Sequence, residues 1–119
     1  MGLDNNVVYS KSYAFAIRVV KLSNYLRYEH KEFVLSRQLL RSGTSIGALI
    51  REAKFAQSKA DFINKLSIAL KEANETQYWI DLLSDTNYLS QKMYDSIKTD
   101  INEIISLLVV IVKSSKNNS

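Results

Sequence analysis

Between Ser36 and Ile80 the sequence reads SRQLLRSGTSIGALIREAKFAQSKADFINKLSIALKEANETQYWI, two long runs of apolar residues at three- and four-residue spacing with one interruption at Ser58-Lys59-Ala60-Asp61. Such spacing lines up on one side of an α-helix and on neither side of a strand. The interruption reads as a helix start, because the Ser58 hydroxyl can accept from the Asp61 amide while the Asp61 carboxylate returns to the cap amide. Two helices joined by so short a turn must pack back to back.

The rest of the chain continues the pattern. It has no proline and three glycines in 119 residues, so helix interiors lack the residues that usually break them. Four helices are expected, over residues 9–30, 33–56, 59–84 and 90–113, followed by a polar, frayed tail over 114–119. Asp85-Thr86-Asn87 supplies turn chemistry before the last of them. The expected fold is all-α, a single domain forming an antiparallel up-down-up-down four-helix bundle, large enough to bury a core without metal or disulfide help.

The second helix packs through Leu35, Leu39, Ile46, Leu49, Ile50 and Ala53, the third through Phe62, Ile63, Leu66, Ala69, Leu70, Ala73 and Ile80, and the fourth through Met93, Ile97, Ile101, Ile104, Leu108 and Ile111. Gly43 and Gly47 form a small-xxx-small pair, read as a place where a neighbouring helix comes close. Helix 1 carries two apolar stripes instead of one, Tyr13, Ile17 and Val20 on one side and Phe15, Val19, Leu22 and Leu26 on another. Helix 3 carries Ile68, Trp79 and Leu82 behind its core face, and helix 4 is apolar all round past Ile104. The surplus exceeds what one core absorbs. We expect a homo-oligomer with Phe15, Val19, Leu22, Leu26, Ile68, Trp79 and Leu82 in its interface.

The run from Ile104 to Val112 is far shorter than the roughly 20 apolar residues that a membrane crossing needs. No membrane association is expected. There is no cysteine, hence no thiolate and no disulfide framework, and the N-terminal MGLDNNVVYSKSYAF lacks a signal-peptide profile. The expected location is the cytoplasm.

Bundles often house di-iron sites, which need two Glu-x-x-His pairs. The single histidine, His30, sits at a helix end and is best read as a solvated residue against the helix dipole. No nucleophile-elbow sequence is present, and no Gly-Lys-Ser/Thr follows the glycines to make a phosphate loop. Neither enzymatic activity nor a cofactor or metal is expected. Arg41, Glu52 and Glu75 are read as a structural polar network between helices.

Charge is distributed unevenly: residues 1–60 carry +6 and residues 61–119 carry −2, with all five arginines in the first part. This asymmetry fits a basic face for nucleic acid or two halves that attract each other. The candidate phosphate contacts are Lys11, Arg18, Lys21, Arg37, Arg41, Arg51 and Lys54. The alternative is a structural or protein-interaction module in which the helix 2 arginines meet Glu72 and Glu75 across a subunit contact.

The stretch QLLRSGTSIGALIREA from Gln38 to Ala53, followed by SKADFINKLSIALKEANETQYWIDLL and preceded by FAIRVVKLSNYL in helix 1, resembles the four-helix bundle family first associated with intervening sequences in bacterial 23S ribosomal RNA genes. Many members carry proline in the helix 2 motif where Gly47 stands here. The resemblance implies a homopentameric ring and brings no catalytic residues. A related group, the accessory variability proteins of diversity-generating retroelements, implies a basic pentamer with RNA or DNA and a nucleic-acid-processing protein, a reverse transcriptase, as partners.

Overall fold

Four helices account for nearly all of the described residues, 5–117, of the computed structural model: α1 (Asn5–Glu29), α2 (Leu35–Lys54), α3 (Lys59–Asp85) and α4 (Gln91–Asn117). Each helix packs on its sequence neighbours, and α4 closes the circle against α1, while the backbones of the diagonal pairs stay further apart. This is the antiparallel up-down-up-down bundle, 47 × 22 × 19 Å. No strand occurs among the described residues, and the β-branched run at Val109 to Val112 is helical.

The helix ends follow from local chemistry. At α3 the Ser58 hydroxyl accepts from the Asp61 amide at 3.0 Å, as expected, whereas the Asp61 carboxylate accepts from the Gln57 amide at 3.3 Å. Before α2 no Ser, Thr or Asn caps the helix. Glu32 does so instead, its carboxylate accepting from the amides of Val34, Leu35 and Ser36 at 3.3, 3.0 and 2.7 Å. The chain enters that cap through Lys31 at φ 55, and leaves α3 through Asn87 at φ 68, where asparagine tolerates the left-handed region. Ser90 caps α4 by accepting from the Met93 amide at 3.1 Å.

Three boundaries differ from expectation. Helix α1 starts at Asn5 instead of residue 9, and α2 begins at Leu35 because the Glu32 cap sets its first turn. Helix α4 continues to Asn117 through the stretch expected to fray, with residues 118–119 lying outside the described residues.

The core faces of α2, α3 and α4 are those that periodicity marks: Leu39, Ile46, Ile50, Phe62, Leu66, Ala69, Ile80, Ile101, Ile104 and Leu108 are buried. Helix α1 requires a correction. Phe15, Val19 and Leu26, expected in an oligomer interface, are buried in the bundle's own core, with Leu22 packed partly against it, and Tyr13, Ile17 and Val20 face outward. The inward seam is Val8, Ser12, Phe15, Val19, Ser23 and Leu26, an unbroken three- and four-residue repeat that includes two buried serines, of which Ser23 donates to the Ser36 carbonyl at 3.3 Å. Helix α2 comes close along this seam. A Cβ built on Gly43 would lie 2.8 Å from both Val19 methyl groups, and one on Gly47 would lie 3.3 Å from the Ser12 carbonyl oxygen. The glycine pair therefore acts as a close-packing surface for α1.

Candidate nucleic-acid interface

The structure divides the seven basic candidates into two groups. Three are engaged by carboxylates of the second half. Lys11 pairs with Glu103, and Arg18 pairs with Asp100 and reaches the Ser96 hydroxyl at 2.9 Å, both on α4. Arg41 lies between Glu72 and Glu75 of α3, 3.1 Å from the first. The positive first half and the negative second half thus attract each other within one chain. The pairing of Arg41 with Glu72 and Glu75, which the alternative reading placed across a subunit contact, is made inside the protomer.

Arg41 also anchors the expected polar network, which is larger than the sequence suggested. The Trp79 indole donates to Glu75 at 3.0 Å and the Ser45 hydroxyl donates to Glu72 at 3.0 Å. Beneath them Thr76 and Ser42, both fully buried, share a hydrogen bond at 3.0 Å, with the Ser42 hydroxyl also within reach of the Gln38 carbonyl. The indole hydrogen bond, then the Arg41 guanidinium, holds the Glu75 carboxyl below its ordinary range. Trp79 consequently packs partly against the core with its nitrogen satisfied. Glu52 stands outside this group and pairs with Lys65 at 3.1 Å. Ile68 is exposed and Leu82 half-buried on the same outer side of α3.

The other four cations, Lys21, Arg37, Arg51 and Lys54, are exposed and have no carboxylate partner among the described residues. Arg51 and Lys54 border a groove between α1 and α2 that Gly47 and Ala48 leave open, with a volume of about 530 Å³. Tyr9, Ser12, Tyr13 and Ala16 form its α1 wall and Thr44 and Glu52 lie on the other. The Arg51 guanidinium sits over the Tyr13 ring at 5.7 Å, and the Lys54 ammonium over Tyr9 at 5.4 Å. Burial pushes the Tyr9 phenol up. Periodicity could not have found this groove, because Tyr9 and Tyr13 meet Lys54 and Arg51 only through the close α1–α2 crossing.

His30 is exposed beside α1, with Nε2 2.9 Å from the Tyr25 hydroxyl and its ring edge-on to Tyr25 and Tyr88. No group of three His, Asp or Glu side chains among the described residues is placed to hold a metal ion. No helix of the described residues is long and apolar enough to cross a membrane.

A crystal structure of a protein of unknown function from the S23 ribosomal protein family of Bacteroides thetaiotaomicron VPI-5482 superposes with a TM-score of 0.92 at 59% identity, over 93% of this chain and 99% of that one. No curated protein matches the chain. The profile of the 23S rRNA-intervening sequence proteins matches residues 4–110, and the chain belongs to that family.

Proposed function

We propose that the protein is a non-enzymatic, oligomeric four-helix bundle of the cytoplasm that associates with nucleic acid, RNA in the first place, through a basic surface on α1 and α2. The observation that carries this reading is that four of the seven candidate cations, Lys21, Arg37, Arg51 and Lys54, are exposed and have no carboxylate partner among the described residues, while Lys11, Arg18 and Arg41 are neutralised within the chain. Surface cations of this kind displace the counterions condensed on phosphates, giving affinity that is sequence-independent and steeply salt-dependent. This reading includes a nucleic-acid-processing protein as a further partner.

Arg37, Arg51 and Lys54 changed together to glutamine are expected to flatten the slope of log affinity against log salt by roughly 0.7–0.9 for each phosphate that is no longer neutralised. Arg41→Gln is expected to leave the slope unchanged, since that guanidinium is already held by Glu72 and Glu75. Titration of labelled RNA and DNA at several salt concentrations measures both. A triple variant with the parent's slope would remove this surface from the binding reaction.

The oligomer is part of the same proposal, as a ring and most simply a pentamer. What supports it is the disposition of apolar side chains outside the core: Ile17 and Val20 are exposed on α1, and exposed Ile68 lies with the half-buried Trp79 and Leu82 on the outer side of α3. The two helices are diagonal in the bundle, so a contact joining them is head-to-tail, the type that closes into rings. Ile17→Glu with Val20→Glu is expected to dissociate the assembly while leaving helicity intact, because both residues are exposed in the single chain and the charges would be buried only at a contact. Light scattering at micromolar concentration decides it. A parent protein that is already monomeric would reject assembly.

The alternative, an interaction module without nucleic-acid binding, draws on the three basic candidates consumed inside the chain. It predicts no salt-dependent binding to any nucleic acid.

A further inference from the structure

We propose that Tyr13 and Tyr9 in the α1–α2 groove, continued past Lys54 by Phe55 outside it, form a stacking track for unpaired nucleobases, with Arg51 and Lys54 holding the phosphates of the same strand. This rests on the nucleic-acid reading above and specifies its substrate as single-stranded. The Lys54 ammonium is 5.4 Å from the Tyr9 ring centre and 5.9 Å from that of Phe55, while Arg51 covers Tyr13 at 5.7 Å. Three rings and two cations are therefore linked from α1 across to the C-terminal end of α2. A single strand presents the complementary elements, flat bases and the phosphates that join them. Every base has a π-face, so such a track accepts sequence without reading it.

Phe55 is 74% exposed, and Tyr13 is 59% exposed. Neither of these two rings is held in the apolar core, whereas Tyr9 is half-buried and packs partly against it, forming the inner wall of the track. Cations over exposed rings are weakly held, so Arg51 and Lys54 can exchange a ring face for a phosphate when a base arrives. The groove's volume of about 530 Å³ lies in the range of small-ligand sites. The one carboxylate lining it, Glu52, is paired with Lys65, which reduces its repulsion of a phosphate. A duplex keeps its bases stacked on one another and offers only edges and backbone, leaving the rings without a partner.

The test is equilibrium binding, by fluorescence anisotropy, of labelled oligouridine RNA, oligothymidine DNA and a duplex of equal length to the full chain and its variants. Both single strands are expected to bind more tightly than the duplex. Phe55→Ala and Tyr13→Ala are each expected to weaken single-strand binding about tenfold without changing the salt slope, since a ring releases no counterions. Tyr13→Phe should bind as the parent does, and Arg51→Gln should flatten the slope. A preference for one single strand over the other assigns RNA or DNA as the occupant and supports the track. If the parent binds with a steep slope but the two alanine variants bind equally well, or if duplex is preferred, the track is overturned and the broader basic surface stands. Absence of binding to all three probes overturns both. Circular dichroism of each variant ensures that a loss of binding is not a loss of fold.

Discussion

Phe15→Ala is expected to lower the free energy of unfolding by about 3–5 kcal/mol, the range for truncating a buried aromatic that neighbouring helices cannot collapse upon. Phe15 is 1% exposed within the single chain, on the inward seam of α1 between Ser12 and Val19. Its loss should therefore shift the urea midpoint even where the protein has been dissociated by Ile17→Glu with Val20→Glu. In that dissociated background Ile17 has already been replaced at little cost to the fold, since exposed positions usually move stability by less than about 0.5 kcal/mol. A Phe15→Ala shift equivalent to under about 1 kcal/mol would place the ring on a surface and return it to the interface role that the apolar stripes first suggested.

The second large effect is expected at Gly43. Leucine there must place its first carbon 2.8 Å from both Val19 methyl groups, and Val19 can neither rotate away nor retreat. Its β-branched side chain is held to one rotamer in a helix, and it is fully buried. Overpacking by a methylene or so costs about 1–3 kcal/mol, whereas Gly43→Leu adds three further carbons beyond one that already clashes. The favourable helix propensity of leucine over glycine, about 1 kcal/mol at most, does not offset this. The α1–α2 crossing must open, with a large fall in the urea midpoint. Gly47→Ala provides the contrast, because its nearest neighbour is at 3.3 Å and the propensity gain there is of similar size to the crowding. Equal midpoints for the parent and Gly43→Leu would show that the crossing has slack.

The bundle was legible because α2, α3 and α4 each have one continuous apolar seam. Helix α1 misled because it has two, and spacing alone gives no inward direction. The distinguishing signal was extent along each stripe: the true seam runs the helix's length, with Val19 facing Gly43 and Ser12 facing Gly47. The outer stripe of Tyr13, Ile17 and Val20 gives way to Lys21 and Asn24. Of the candidate site, the basic residue types were legible but their partners were not, since Lys11 meets Glu103 and Arg18 meets Asp100 only after the chain has closed on itself. Tyr9 and Phe55 escaped notice for the same reason, and Tyr13 was read only as part of an apolar stripe. Aromatic residues at helical spacing are ordinarily core, and only the folded crossing puts cations over their faces.

The α1–α4 side of the bundle is its most thinly packed, bridged by two exposed ion pairs. The molecule can thus be described as a rolled sheet of four rods whose closing edge is the weakest seam. Exposed ion pairs are weak and screened by salt, so partial opening will begin along this edge, ahead of the tightly joined α2–α3 hairpin. The lowest-energy breathing of the protein is then an unrolling at α1 and α4, and its amplitude grows with ionic strength.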